Sequence, residues 1–439
     1  MSGADETPRW KGEGAEPQAG GAGGIGAAPA AGAPPGTIEA GAVPASASAT
    51  AARRFDDAPI PEGRVERRSG ERRGSGGGGA EGMPPISQAN VSAPAIATST
   101  EPKRLNLALQ GGGTHGAFTW GVLTRLLEDE RIEVDAISGT SAGAINGAML
   151  AQGIAEGGRA GAIAALDRFW REIATRLTFS PLRNTPPEKL LWGYDLSFSV
   201  AWQTFDAVTR MLSPYQFNPF PIEVNPLRRV LERVLDEARL RSDPRAPRLY
   251  VSATNVRTGK PRVFERHEVS RETLLASACL PNLFRAVEID GEAYWDGGYL
   301  GNPALWPLYS SGGPPDIVVV QVNPITREEI PKTVSDINTR LNEVTFNASL
   351  MYEMRAIEFV QRLVDQGALT PPRYQRLFVH LIEDEARMRE FGMSTKYNGD
   401  WDFLCTLRDN GREAAERWLA ENFEALGRRD TVDLRERFL

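Results

Sequence analysis

The segment around Ser141 constrains the fold of this chain more than any other. An alternating apolar and polar run at residues 132–137 leads into Gly139-Thr140-Ser141-Ala142-Gly143, and a small-residue helical pattern at residues 142–152 follows. This order predicts a strand, a sharp turn and a helix, with Ser141 strained at the turn. Small residues two positions before and after the serine let the strand and the helix approach without clash. The segment therefore has the form of a nucleophile elbow, which exposes a serine hydroxyl at the top of a sheet.

A similar turn precedes the elbow. A predicted strand at residues 105–109 runs into Gly111-Gly112-Gly113-Thr114-His115-Gly116, and apolar spacing predicts a helix at residues 117–129. Alternation of strand and helix is typical of a parallel sheet covered by helices, so we expect an α/β fold. The same patterns predict later strands at residues 249–255, 262–265, 292–295, 316–322 and 377–382, a short helix at 271–278 and a long one at 333–364.

The glycine loop has two interpretations. As Gly-x-Gly-x-x-Gly it fits a dinucleotide site, with Asp135 as the acidic partner of a ribose. However, Asp135 lies inside the strand that enters the elbow, before the carboxyl end where a ribose partner belongs. The other interpretation is an oxyanion hole, because glycines let backbone N–H groups converge on a developing alkoxide. We favour the oxyanion hole, with the N–H of Ala142 at the start of the next helix as a further donor.

A serine hydroxyl is a weak nucleophile and needs a base within hydrogen-bonding distance. Asp296, in a tight Asp296-Gly297-Gly298 turn after a short predicted strand, is one candidate. His380 is another, since Ser141, Asp296 and His380 follow the chain order of an α/β-hydrolase triad. A histidine in the middle of an apolar strand is usually structural. The residues alone leave both candidates open.

Several segments together resemble the patatin-like phospholipase family, over about residues 104–325. They are the glycine loop with Gly111, Gly112, Gly113 and Gly116, the elbow with Gly139 and Gly143, the Ser277-x-x-x-Pro281 stretch, and the turn with Gly297 and Gly298. The resemblance implies a three-layer α/β fold with a mainly parallel central sheet flanked by helices. It also implies hydrolysis of acyl esters of lipids, in the manner of a phospholipase A or lysophospholipase, with neither a metal nor an organic cofactor.

Site residues follow from the same resemblance. Ser141 would be the nucleophile and Asp296 the base, with no catalytic histidine, and Gly111, Gly112 and Gly113 would form the oxyanion loop. The family loop usually carries Arg or Lys where this chain has His115. If that cation binds phosphate, a largely neutral imidazole weakens recognition of a phospholipid head group, whereas the backbone oxyanion role is unaffected. Cleavage of an intracellular polyester and non-catalytic lipid binding therefore remain alternatives.

Composition divides the chain into three parts. Residues 1–102 are rich in Gly, Ala, Pro and Ser and are predicted to be a disordered tail, because they cannot bury enough apolar surface to offset their ordering entropy. Residues 103–330 are predicted to form the catalytic domain, with an inserted helical segment at about 162–240. Residues 331–439 are predicted to be a mainly helical extension packed on that domain. The aromatic-rich inserted segment is either a packed subdomain or a lid that contacts lipid.

Charge and residue counts limit partners and compartment. The 439 residues include 50 basic and 57 acidic side chains, a net charge of −7, so no general attraction to nucleic acid is expected. Two cysteines exclude a disulfide framework, and three scattered histidines lack metal-ligand spacing. No stretch reaches the roughly 18 apolar residues of a membrane span. We expect a cytoplasmic protein with a lipid or other acyl ester substrate and at most peripheral contact with membranes or lipid surfaces; its oligomeric state is left open.

Overall fold

A computed structural model of the chain describes residues 101–178, 180–217, 225–310, 312–369 and 374–439. The predicted tail at residues 1–102 lies outside these ranges, apart from its last two residues. The strands are β1 (Lys103–Leu109), β2 (Ile132–Thr140), β3 (Arg248–Asn255), β4 (Pro261–Glu265), β5 (Val287–Ile289), β6 (Glu292–Asp296), β7 (Asp316–Val320) and β8 (Phe378–Ile382).

The helices follow the predicted alternation with the strands, and they range from four residues in α5 to 36 in α2. They are α1 (Gly116–Glu128), α2 (Ala142–Leu177), α3 (Pro186–Trp192), α4 (Val200–Met211), α5 (Pro214–Phe217), α6 (Pro226–Val234), α7 (Glu237–Ser242), α8 (Arg271–Ser277), α9 (Trp306–Ser310), α10 (Val334–Asp365), α11 (Glu385–Met388), α12 (Trp401–Asn422) and α13 (Leu434–Phe438). Short 3₁₀ turns include Gly113–His115 and Ser394–Tyr397.

The strands form one mainly parallel sheet in the order β5-β6-β3-β2-β1-β7-β8, with β4 also paired to β3. Neighbours from β3 to β8 in this order are parallel. The pairs that involve β4, β5 and β6 are antiparallel and form one end of the sheet. The α/β fold with a helix-flanked, mainly parallel sheet is therefore confirmed.

The sheet separates two hydrophobic cores. Leu105, Leu107 and Leu109 of β1 pack into the larger core, which includes side chains of α1, α2 and α12. Ala108 of β1 and Ala136 of β2 face the smaller core, which includes side chains of α10 and α13. Because successive side chains of a strand point to opposite faces, this division places helices on both sides of the sheet.

Helix α12 crosses α1 at two glycines. A Cβ added at Gly121 would clash with the carbonyl oxygen of Arg408, and one at Gly411 would clash with that of Phe118. Only glycine allows so close a crossing of two backbones. The crossing fixes α12 against the helix that follows the glycine loop.

The predicted inserted segment at residues 162–240 contains the second half of α2 and helices α3 to α7. Helix α2 breaks at Gly157 and Gly158, where Gly158 has a φ of 65°. Among the described residues, no helix combines the length and the apolar composition that crossing a membrane requires. Exposed large apolar side chains of the segment are Leu190, Leu191, Trp192, Phe198, Val200, Val208, Met211, Leu212, Tyr215 and Phe217.

Candidate active site

Ser141 occupies the turn between β2 and α2. Its φ of 54° and ψ of −123° place a non-glycine residue in a rarely populated conformation. The Ser141 N–H donates to Ser277 Oγ at 2.8 Å, and its carbonyl accepts from the Ile145 N–H at 3.1 Å. These bonds hold the strained turn from both sides.

The glycines that flank Ser141 are required by close backbone contacts. A Cβ at Gly139 would lie 2.7 Å from the Cα of Ala144, and one at Gly143 would clash with the carbonyl oxygen of Leu109. Likewise, a Cβ at Gly116 would lie 2.7 Å from the Cβ of Ala142. The small residues therefore let β1, β2 and the starts of both helices converge on the serine.

Asp296 ends β6 and lines the same cavity as Ser141, whose side chain acts to lower the carboxyl pKa. Its carboxyl group is 1% exposed, and Oδ1 accepts the Gly298 N–H at 2.7 Å. Burial raises the pKa of Asp296 to about 7, although the hydrogen bonds from Gly298 and Ser141 and the charge of Lys396 act in the opposite direction. A carboxyl group with such a pKa can accept and release a proton near neutral pH.

The Asp296 turn also depends on its two glycines. A Cβ at Gly297 would clash with the carbonyl oxygen of Ser252, and one at Gly298 would clash with the ring of Phe346. The turn thus passes between β3 and α10, and its Asp296 lines the same cavity as Ser141.

The three glycines of the loop after β1 differ in their hydrogen bonds. The Gly111 N–H donates to Asn302 Oδ1 at 2.7 Å, so this amide is already used within the fold. For the N–H groups of Gly112, Gly113 and Ala142, the described part of the chain provides no acceptor. We therefore retain Gly112, Gly113 and Ala142 as candidate oxyanion donors and correct the expected role of Gly111. Its own contribution is close approach, because a Cβ there would lie 2.7 Å from the Cβ of Ser141.

His115 follows the loop and contacts a distant turn. Its Nε2 lies 2.8 Å from Thr395 Oγ1, and the Thr114 hydroxyl donates to the Thr395 carbonyl at 2.8 Å. Burial, and to a smaller degree the charge of Lys396, lower the pKa of His115 well below its usual value, so the imidazole is neutral. A Cβ at Gly113 would lie 2.5 Å from the Lys396 carbonyl oxygen. The turn Ser394–Tyr397 therefore packs directly on the glycine loop.

A cavity of about 430 Å³ opens beside Ser141 and Asp296. Gly112, Gly113 and Ala142 also line it. Its apolar lining includes Ile145, Phe169, Trp170, Ile173, Leu177, Leu182, Phe205, Phe217, Leu227, Val230, Leu280, Leu283, Phe284, Phe346 and Met393. A mainly apolar cavity with a few polar groups suits a largely hydrophobic ligand that also carries polar groups.

His380 lies elsewhere. Its Nε2 is 2.9 Å from Asp316 Oδ1 and its Nδ1 is 3.1 Å from Thr431 Oγ1. Asp316 begins β7, whereas Ser141 follows the carboxyl end of β2, and parallel strands place those ends at opposite edges of the sheet. His380 does not line the cavity beside Ser141. The alternative triad therefore lacks its base.

The dinucleotide interpretation also lacks its acidic residue. Asp135 forms ion pairs with Arg104 and Arg248. Within the described ranges, no group of three or more His, Cys, Asp or Glu side chains is arranged to hold a metal ion.

Two groups that contact the site had no signal in the sequence. Asn302 orients Gly111, and Lys396 lines the cavity from the far end of the chain. Neither lies in a recognisable motif. Ser277, which receives the Ser141 N–H, does belong to the Ser-x-x-x-Pro stretch noted above.

Known proteins were compared with the chain at the levels of sequence and structure. The family model of patatin-like phospholipases matches residues 107–309. No curated protein matches the chain. Among solved structures, VipD from Legionella pneumophila is similar at 15% identity and a TM-score of 0.33, with 73% of this chain and 67% of that chain covered.

The complex of ExoU with SpcU, from the type III secretion system of Pseudomonas aeruginosa, is similar at 15% identity and a TM-score of 0.28. That comparison covers 74% of this chain and 52% of the other. A second structure of the type III effector ExoU gives 15% identity, a TM-score of 0.27, and coverage of 73% and 54%. The chain thus spans about half the length of the ExoU chains.

Proposed function

Because residues 107–309 of this chain are a patatin-like phospholipase domain, a domain of lipid acyl hydrolases, we propose that the protein cleaves carboxylic ester bonds of lipids through a Ser141/Asp296 dyad. The observation that carries the proposal is that Ser141 and the buried Asp296, whose carboxyl pKa the Ser141 side chain influences, line the same mainly apolar cavity of about 430 Å³. We further propose that residues 331–439 act as an extension that completes this catalytic domain.

The first step is acyl transfer to the serine. Asp296 accepts the hydroxyl proton while Ser141 Oγ attacks the ester carbonyl carbon, and the carbonyl oxygen becomes an oxyanion. The N–H groups of Gly112, Gly113 and Ala142 donate to that oxyanion, each worth about 2.7 to 4 kcal/mol if it resembles measured cases. The tetrahedral intermediate then collapses. The alcohol or lysolipid leaves with the proton from Asp296, and an acyl-serine remains.

The second step is hydrolysis of the acyl-serine. Asp296 accepts a proton from water as the water oxygen attacks the acyl carbon, and the same amides hold the new oxyanion. The C–O bond to Ser141 breaks, Ser141 Oγ recovers the proton, and the fatty acid leaves. A pKa of about 7 supports this role, because Asp296 is largely ionised just above neutrality yet still basic enough to take a proton.

We infer that the protein reaches its substrate at a lipid surface. Helices α4 and α10 approach each other where Arg210 donates to Asn338 Oδ1 at 3.3 Å. Their exposed apolar side chains, which we call the apolar rim, are Val208 and Met211 of α4 and Ile337 and Leu341 of α10. Exposed apolar groups in such number suit contact with acyl chains. The rim continues into the cavity through Phe205 of α4 and Asn342 of α10, which line it.

The dyad is tested by measuring fatty acid release from short and long acyl esters and phospholipids, with Ser141→Ala as the matched control. A fluorophosphonate probe should label the wild type at Ser141 and leave the variant unlabelled, because labelling needs an activated hydroxyl. Release that persists in folded Ser141→Ala would rule out the dyad. Absence of both release and labelling would favour a protein that only holds lipid, and release from polyester alone would identify a depolymerase.

The rim is tested with the double variant Met211→Asp, Leu341→Asp. We expect the ratio of phospholipid vesicle hydrolysis to hydrolysis of a water-soluble ester to fall about tenfold, because charged side chains resist transfer into a lipid surface. Tyr352→Asp is the control, since Tyr352 is 68% exposed on the same helix but lies outside the rim. If the double variant and the Tyr352→Asp control lowered this ratio equally, the inference would be contradicted.

A further inference from the structure

Lys396 brings a positive charge to the cavity that holds Ser141. Its side chain lines the cavity, and its Nζ donates to Asn323 Oδ1 at 2.7 Å and to Asn342 Oδ1 at 2.6 Å. Both acceptors are neutral amides. An ammonium group has three donors, so one N–H remains for a ligand.

The other basic side chain that lines the cavity has a direct carboxylate partner. Arg176 forms an ion pair with Glu172 at 3.0 Å, and Glu172 also pairs with Arg233 at 3.1 Å. For Lys396, by contrast, the described residues offer no carboxylate ion-pair partner. Glu343 lies near Lys396 but is itself paired with Arg327 at 2.7 Å and Arg340 at 3.3 Å.

The position of this ammonium group is fixed relative to the reacting atoms. The Lys396 backbone packs on Gly113, and the neighbouring Thr395 binds both Thr114 and His115 of the glycine loop. Since His115 is neutral, the loop itself contributes no cation. Lys396 therefore supplies the cavity with a positive charge from a segment outside the matched domain at residues 107–309.

The Lys396 ammonium group binds two neutral amides but forms no direct ion pair with the nearby carboxylates of Glu343 and Asp296. A bound anion supplies such a direct partner and offsets part of the cost of burying the cation. Lysine binds phosphate as a compact point charge. We propose that Lys396 is a specificity-determining residue that binds the phosphodiester of the substrate, so that the enzyme prefers phospholipids or lysophospholipids to neutral acyl esters. This proposal rests on the proposed acyl hydrolase function and identifies its substrate class.

The experiment compares two substrates with the same scissile bond, 1-palmitoyl-lysophosphatidylglycerol and 1-palmitoylglycerol, using the full chain. We expect the wild type to prefer the phosphodiester, and Lys396→Met to lower the ratio of the two kcat/KM values at least tenfold. Lys396→Arg should retain the preference within about threefold. Arg176→Met should leave the ratio within about twofold, because Arg176 is directly ion-paired with Glu172.

A second variant covers the case in which Lys396→Met does not fold. Asn342→Asp keeps the ammonium group but places a carboxylate against it, so the ratio should also fall about tenfold. An equal loss on both substrates in these variants would overturn the proposal, because a merely structural role or an effect on Asp296 does not distinguish the head groups. A wild-type preference for 1-palmitoylglycerol would overturn it as well.

Failure of the proposed hydrolase function is separable from failure of this inference. If the wild type cleaves neither substrate, binding of the same two lipids to Ser141→Ala is followed by tryptophan fluorescence, since Trp170 lines the cavity. If Ser141→Ala binds the phosphodiester lipid more tightly than 1-palmitoylglycerol, and the double variant Ser141→Ala, Lys396→Met does not, the result would support the anion site in a non-catalytic protein. Equal affinities, or a preference unaffected by Lys396→Met, would overturn the site.

Discussion

Two aspartates of this fold, Asp296 and Asp316, are equally buried, at 1% and 2% exposure, but their surroundings differ. Asp316 Oδ1 receives hydrogen bonds from the Gly427 N–H at 2.7 Å and from His380 at 2.9 Å. Asp316 does not line the cavity beside Ser141. Asp296 Oδ1 accepts the Gly298 N–H, and Asp296 lines the cavity together with Ser141. Burial alone therefore does not identify a reactive carboxyl group. Access to the cavity that Ser141 also lines distinguishes Asp296, the proposed base, from Asp316.

The largest effect is expected from replacing Asp296, the proposed base. Asp296→Asn should lower kcat by at least about a thousandfold, because the amide cannot accept the serine proton. The same variant should raise the Tm at pH 8. Burial raises the pKa of Asp296 to about 7, so the ionised form destabilises the fold, and this penalty grows as the pH rises from about 4 to 7.

Calorimetry at pH 5 and pH 8, together with fatty acid release, checks both parts. The Tm gain should be smaller at pH 5, where the folded carboxyl group is protonated. A variant that keeps its turnover, or that loses stability at pH 8, would contradict the assignment of Asp296 as a buried base.

A weaker effect is expected from the structural pair. His380→Ala should lower the free energy of unfolding by about 2 to 4 kcal/mol, because it removes a buried ring and leaves Asp316 without one partner. Turnover per folded molecule should stay within about twofold, since His380 is remote from Ser141. Denaturant unfolding and kinetics on the same preparation measure both quantities. Complete loss of catalysis in a folded variant would restore the histidine triad.

The smallest expected effect concerns pH. The rate on a neutral ester should rise with pH through about 7 as Asp296 ionises, and then remain level. Burial lowers the pKa of Lys396 to about 8, although the charges of Glu343 and Asp296 act to raise it and that of Arg327 lowers it further. The cation is therefore present below about pH 8 and lost above it, and kcat/KM on a phosphodiester lipid should fall severalfold by pH 9.

The measurement is kcat/KM from pH 5.5 to 10 at constant ionic strength, on 1-palmitoylglycerol and on 1-palmitoyl-lysophosphatidylglycerol. A parallel decline of both substrates above pH 8 would mean that the titrating group does not act on the phosphodiester.

Sequence patterns predicted the parts of the fold that depend on neighbouring residues. The strands around Leu107 and Val318 and the helix after Ser141 have clear periodicity, and the structure contains all three. The pattern did not reveal β5 or α9, because three or five residues are too few to establish a period.

The candidate site was predictable where glycines and a serine share a short motif. The sequence could not show which glycine amide remains free, because the Gly111 amide is occupied by Asn302, which lies 191 residues later in the chain. Lys396 was equally inaccessible, since nothing in its local sequence indicates that its turn packs on the glycine loop. Hydrogen-bond partners that are distant along the chain require the folded arrangement.

The contact between the glycine loop and the turn at Ser394–Tyr397 also sets an order of assembly. His115 and Thr395 are 280 positions apart, and contacts of such separation form only after a large loss of chain entropy. On the ribosome, Ser141 is synthesised long before the segment that closes its cavity. A nascent chain therefore carries Ser141 without the finished site until the segment that contains Thr395 has been made and folded.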